Sequence, residues 1–492
     1  MIKASKKQLN GLIEPFIYDI LEDEKFEVVR KEAVELLTWN RLDLAFKLFY
    51  LDLRDKNRDL AERVYKQDIR AQTLGNFKEF GDKKKISFEK YVQVFDELEK
   101  KFTEEGFDPK KSYIPLSKDD TIVNGAHRTA LAIHQSKTLE CVKLKRPTMV
   151  CDYNLFHQRC VSEEILDMVV SKFIEYADNT YIAFLWPSGK GFKKEVYSKF
   201  TKAVYKKEIQ LNSVGAFNLL FELYSHMEWI GTKENGYQGI QQKLAECFPQ
   251  LTKIIVIVFQ SSSIEQVREL KDQIRNVYNI GFSSVHITDT KEEALRISRL
   301  LFNKNGIHFL NYAKTHKYRS FSSDLDLFKN FLLMNRINTD DIVLDSGMTL
   351  SAYGIRESKD IDYLINKNVV IKEENHRINS HDDQLMYHKE TKASLIYDPS
   401  FYFSYKNIKF LSFEQVYEMK IERNEEKDKN DVRMMQSLID NNAIVFKITS
   451  FKQKVLYSKI KIKFKTTRAI IKVLKKVKLY SVTRSIYHRV MK

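Results

Sequence analysis

Strand-like and helix-like segments alternate in three separate stretches of this sequence, 86–147, 180–305 and 322–440, and nothing else limits the fold as strongly. With 492 residues the chain exceeds what one core can hold, so three or four domains are expected. No repeat of fixed period and no low-complexity linker separates the stretches, which predicts domains packed on one another. Before them, residues 8 to about 80 are dense in helical patterning, as in KEAVELLTWNRLDLAFKLFYLDL (31–53), and show no chemistry. The expected fold class is therefore multidomain α/β (α+β). A helical region spans 1–85, α/β units 86–150, 178–305 and 322–442, and a basic tail 446–492.

Hydrophobic residues at 43% and only seven prolines argue for folded, helix-rich structure. The opening MIKASKKQLNGLIEPF has no apolar h-region, and the longest strongly apolar run is IIVIVF (254–259), so neither a signal peptide nor a spanning helix is expected. Cys141, Cys151, Cys160 and Cys247 show no CxxC spacing; reduced cysteines and a cytoplasmic location follow. The net charge of +16 suggests nucleic acid until it is located. From Phe446 to Lys492 there are 15 Lys or Arg and no acid, which leaves about +1 for the rest. The basicity belongs to the tail.

TIVNGAHRTALAIHQ (121–135) reads as a strand that turns at Gly125 into a helix carrying His127 and Arg128 in its first turn. A glycine permits the tight corner, and backbone N–H groups with two cationic side chains can converge there on a phosphate. With YIPLS before it and LECVKLK after it, the unit resembles the ParB/sulfiredoxin-like fold. That family's G-x-[HR]-R turn holds nucleotide phosphates, which the resemblance places on Gly125, His127 and Arg128. Ala126 stands where sulfiredoxin needs a cysteine. The resemblance implies nucleotide binding and leaves the reaction open.

In the second block, SSVHITDTKEEA puts His286 at the end of a short strand, with Thr288 and Asp289 placed to cap the next helix. A histidine fixed there, eleven residues after Arg275, suits a phosphoryl acceptor or general base. The stretch is similar to the nucleoside diphosphate kinase core, whose phosphorylated histidine, acidic residue and phosphate-binding arginine fall on His286, Asp289 and Arg275. Trp186-Pro187-Ser188-Gly189 stands where that family opens with K-P-D-G. The residue-level alternative is a ferredoxin-like α/β block with a structural histidine.

The third block carries the most specific signal. DIVLDSG ends a strand in Ser346-Gly347, a short helix follows, and Arg356-Glu357-Ser358-Lys359 leads to a strand with Asp360 and Asp362 two apart. On a strand such residues share a face, and paired carboxylates call for a counter-cation, Mg²⁺ with a triphosphate being the usual one. These residues resemble the nucleotidyltransferase fold with its hG[GS]…DxD signature. The resemblance implies metal binding by Asp360 and Asp362 and a third carboxylate on a later strand, for which Asp398 is the candidate. In MKIERNEEKDKNDV, Lys420, Arg423, Lys427 and Asp431 recur on one helical face that, with Arg356, would bind the triphosphate.

The tail mixes Ile, Val and Leu with Lys and Arg at helical spacing, which fits an amphipathic helix on an anionic membrane surface better than nucleic-acid binding. The order of blocks resembles multidomain proteins encoded among capsule and lipopolysaccharide genes. The combined expectation is a cytoplasmic enzyme, peripheral on the inner membrane, that transfers a nucleotidyl or phosphoryl group from ATP or CTP with Mg²⁺. The acceptor would be a small molecule or sugar of surface-polysaccharide synthesis. The rival expectations are a nucleic-acid-associated ParB-like regulator or nucleotidyltransferase toxin, and a non-catalytic nucleotide-binding scaffold.

Overall fold

A computed structural model describes residues 2–79, 84–108, 111–250, 253–366, 368–477 and 479–480. Strands collect into three small sheets, one per block. The first orders β1 (Ile2–Ser5), β2 (Lys25–Glu32), β4 (Thr138–Lys143) and β3 (Ile114–Leu116) side by side, antiparallel except for the β3–β4 pair. Helices Asp43–Leu53, Arg58–Gln72, Phe88–Glu105 and Ala126–His134 accompany it. Helix Asp43–Leu53 is apolar on nearly every side and is buried from Asp43 to Leu51, as a helix without a polar face must be.

In the second sheet the order is β6 (Ala203–Ile209), β7 (Ile254–Gln260), β5 (Thr180–Leu185), β8 (Val285–Ile287), all antiparallel. β5 and β7 are continuous apolar runs because both faces are covered. Tyr181, Ala183 and Leu185 face one core while Ile182 and Phe184 face another, the alternation that a pleated strand imposes. The third sheet runs β11 (Ile378–Ser380), β10 (Ile361–Ile365), β9 (Ile342–Leu344), β13 (Ile408–Leu411), β12 (Tyr402–Tyr405), with β10–β11 and β9–β13 parallel. One contiguous core links the blocks and includes Phe46, Phe184 and Phe403. The molecule is mixed α/β with its units packed together, as the absence of linkers predicts.

Three local expectations are corrected. Residues 1–85 are not a purely helical region: β1 and β2 build the same sheet as the GAHR unit. KFEVVRKE hides its strand because its alternation is mostly of charges at a half-exposed face, with only Phe26 fully buried. TIVNG is not a strand; Ile122 makes one isolated bridge to Leu116 and the chain turns directly into the helix. MKIERNEEKDKNDV is not one helix. Asn424 adopts a left-handed conformation (φ 52°) and separates helix Phe413–Arg423 from helix Glu426–Ile439, a common helix stop for asparagine. A long helix, Ala443–Lys476, forms the described part of the tail, and residues 481–492 lie outside the described residues. Among the described residues no helix is long and apolar enough to cross a membrane.

Candidate functional site

At one end of the third sheet, strand register assembles a charged cluster. β9 and β10 pair Leu344 with Tyr363, and one step beyond, the Asp345 N–H donates to the Asp362 carbonyl at 2.8 Å. On the other side of β10, Asp362 pairs with Asn379, and the His381 N–H donates to the Tyr363 carbonyl at 2.8 Å. The Asp345 carboxylate is fully buried, with Oδ2 2.7 Å from His381 Nδ1 and 3.6 Å from His388 Nε2. Burial pushes Asp345 up, but the hydrogen bond from His381 and the nearness of both imidazoles outweigh it and hold this carboxyl well below the usual range. Burial lowers His381, and the bond and charge from Asp345 more than restore it, so its pKa is raised.

Asp362 behaves oppositely. Burial pushes it up to about 6; His381 pulls it down, but the charges of Asp360 and Asp345 push it further up. Asp360 is exposed just before the strand. Ser346, between Asp345 and the helix Gly347–Ala352, holds φ 42° and ψ −96°, a conformation costly for a residue with a Cβ and typical of functional turns. Gly347 is required by space, since a Cβ there would run into Ser358 Oγ.

The basic residues expected around a triphosphate are used otherwise. Arg356 makes two bonds to Asp431, at 2.9 and 3.0 Å. Lys420, 1% exposed, bridges Asp428 at 3.0 Å and Asp431 at 2.9 Å. Arg423 grips Asp428 at 2.8 and 2.9 Å, and Lys427 pairs with Glu425 at 3.0 Å. Because the helix breaks at Asn424, Asp428 and Asp431 fold back onto Lys420 and Arg423, so the expected single cationic face is a buried clamp. Asp398 is not on a strand: it ends helix Lys392–Tyr397, accepts the Ser400 N–H, and pairs with Arg63 at 2.7 Å. The acid that acts on Asp362 from the end of β9 is Asp345. Sequence reasoning missed Asp345 although it adjoins Ser346-Gly347, and it had no cue for His381 and His388, which flank the short 3-10 helix Asp382–Tyr387.

His286 and Arg275 do meet. They line one cavity of about 480 Å³ with Lys271 and Lys243. Tyr224 Oη lies 3.1 Å from His286 Nδ1, while Nε2 is buried without a hydrogen bond, 3.5 Å from Glu293. Arg275 bonds Asp272 at 3.0 Å and stacks over Phe282. Asp289 pairs with Lys271 at 3.0 Å, and the helix cap is Thr290 rather than Thr288 or Asp289, since only its hydroxyl reaches the Glu293 N–H. Trp186 is buried against Phe184.

Around the GAHR turn, Gly125 has φ +90°, and His127 and Arg128 line a cavity of about 820 Å³ that also receives Arg41, Lys47 and Lys85. His127 shares a 2.7 Å hydrogen bond with Tyr65; burial, then the charges of Lys85 and Lys47, push it well below 6.5 and keep it neutral. Arg128 pairs with Glu14 at 2.7 Å, an acid from the N-terminal segment that the sequence did not connect with the turn. Among the described residues no three His, Cys, Asp or Glu side chains converge as a ready metal cage. No protein-family model, curated protein or solved structure matches this chain.

Proposed function

We propose that the third block transfers a nucleotidyl or phosphoryl group from a nucleoside triphosphate, ATP or CTP, to a small-molecule or sugar acceptor with Mg²⁺. The observation that carries this reading is the cluster of acids at the sheet end: β9–β10 register sets Asp345 beside the half-buried Asp362, with Asp360 exposed just before the strand. Such a site holds more negative charge than its surroundings neutralise, and a divalent cation relieves it. Mg²⁺ keeps its waters and takes one or two carboxylates together with substrate phosphates. Asp360 and Asp362 therefore fit a metal that arrives with its nucleotide rather than one held in a closed cage. When bound, the metal offsets charge on the phosphates.

The chain's own residues do the positioning. His381, whose pKa the bond and charge of Asp345 raise, fixes that carboxylate at the sheet end beside Asp362. Gly347 and the strained Ser346 turn let an oxyanion approach the backbone closely. The Arg356–Asp431–Lys420–Asp428–Arg423 clamp holds the helices against the sheet end. In the second block, the all-antiparallel order β6-β7-β5-β8 supports the ferredoxin-like reading, and the His286–Arg275 cavity supports an auxiliary phosphate site. The basic helix Ala443–Lys476 supports attachment to an anionic membrane surface in capsule or lipopolysaccharide synthesis.

A scaffold that binds nucleotide without turnover is the second reading, favoured by the engagement of Lys420 and Arg423 with acids. Calorimetric titration of the full chain with ATP, CTP, GTP and UTP, with and without Mg²⁺, separates the two. Mg-dependent binding and turnover lost together in Asp360→Ala/Asp362→Ala support the enzyme. Binding that survives that double substitution and disappears in Arg128→Ala moves the nucleotide site to the GAHR turn and refutes the proposal.

A further inference from the structure

Where the blocks meet, a cleft of about 400 Å³ opens between helix Glu163–Tyr176, the end of helix Lys291–Leu301 and strands β12 and β13. None of the candidate site residues read from the sequence lines it. That volume lies in the range of small-molecule sites. Its acids are already served: Lys172 lies 2.6 Å from Asp52 and 2.9 Å from Glu175, and Lys56 lies 2.9 Å from Asp341. Arg299 is shared loosely, 3.3 Å from Asp340 and 3.5 Å from Glu175.

Lys409 differs from all of them. It is 6% exposed on β13, and its Nζ donates to the backbone carbonyls of Asp340 and Ile396, each at 2.6 Å. Tyr397 and Tyr402 flank it, with ring centroids 5.2 and 5.0 Å away. Among the described residues no carboxylate pairs with it directly and no third acceptor takes its remaining N–H. A buried ammonium left this way is costly. A ligand that supplied a third acceptor and a negative charge would complete it, and Arg299, on the wall beside it, can reach the same oxyanion.

We propose that this cleft binds the phosphate group of a small molecule between Lys409 and Arg299. Burial lowers Lys409 to about 7; Asp340 and Asp341 raise it, while Arg299 and Lys56 lower it further. Binding of a dianion restores the proton, so affinity is linked to pH. His134 also lines the cleft, 3.3 Å from Asp52, and is the control position.

The test titrates the full chain with inorganic sulfate, whose charge is fixed across neutral pH, at constant ionic strength. Between pH 6.0 and 8.5 the affinity should weaken about 30-fold, with proton uptake on binding at the higher pH. Lys409→Met should remove the binding, His134→Asn should leave the pH slope intact, and Lys409→Arg should bind with the slope abolished, because arginine stays charged. If Lys409→Met does not fold, Arg299→Gln takes its place, with an expected loss of at least about tenfold. Binding that is unaltered in Lys409→Met or Arg299→Gln, a pH-independent affinity in the wild type, or no binding at millimolar sulfate would each overturn the proposal.

Discussion

Replacing Lys420 by methionine tests whether the basic residues near the third sheet hold the protein or hold a substrate. Lys420 is buried and spans two buried carboxylates, at 3.0 Å from Asp428 and 2.9 Å from Asp431. Breaking a buried pair by removing one partner costs about 3–5 kcal/mol. Here Arg423 stays on Asp428 and Arg356 stays on Asp431, so neither acid is orphaned and the lower end, about 3 kcal/mol, is expected. By differential scanning calorimetry the transition should fall by about 3 °C, since an unfolding entropy of about 2.1 cal/mol/K per residue over a chain of this length gives about 1 °C per kcal/mol.

The pH dependence supplies a second readout. Burial raises Asp428, but hydrogen bonds from Arg423 and the charge of Lys420 overcome it and bring its pKa down to about 2; Asp431 is likewise lowered. A depressed carboxylate adds stability above its unfolded pKa of about 4 and loses it as pH falls towards the folded value. Wild type and Lys420→Met should therefore differ fully at neutral pH and converge near the folded pKa of about 2. A variant as stable as wild type that had lost nucleotide binding would refute the clamp and return Lys420 to the phosphate.

Asp362→Asn should abolish Mg-dependent turnover yet stabilise the fold at pH 8 by about 1–3 kcal/mol, with no gain at pH 4, because a raised carboxyl destabilises only once ionised; thermal melts at both pH values check it. His127 is buried neutral, so wild-type stability should fall by up to about 1.4 kcal/mol per pH unit below about 6.5, and His127→Asn should flatten that slope in urea titrations. Gly125→Ala should cost about 1–3 kcal/mol, since φ is +90° and the new Cβ would stand 2.8 Å from Ile114 Cδ1 and 3.0 Å from Arg128 Nη2. Deletion of 446–492 should end sedimentation with anionic liposomes; unchanged sedimentation, or salt-sensitive DNA binding in its place, would overturn the membrane reading of the tail.

Local signals in the sequence determined much of the secondary structure. IIVIVFQ, TYIAFL and IDYLI are strands because short β-branched and aromatic runs have no other stable use, and AHRTALAIH starts its helix at Gly125 because only glycine takes that corner cheaply. What each polar residue does was decided only in three dimensions. Lys420 and Arg423 read as free cations until the break at Asn424 folds Asp428 and Asp431 back onto them. Asp345 joins Asp362 through β9–β10 register, His381 arrives through β11, and Glu14 claims Arg128 from more than a hundred residues away. Lys409 is an unremarked charge in NIKFLSF until two backbone carbonyls and two tyrosines enclose it. Helix and strand formation depends on neighbours along the chain, whereas the charge state and partner of a side chain depend on burial and on residues brought near from elsewhere, which no window of sequence contains.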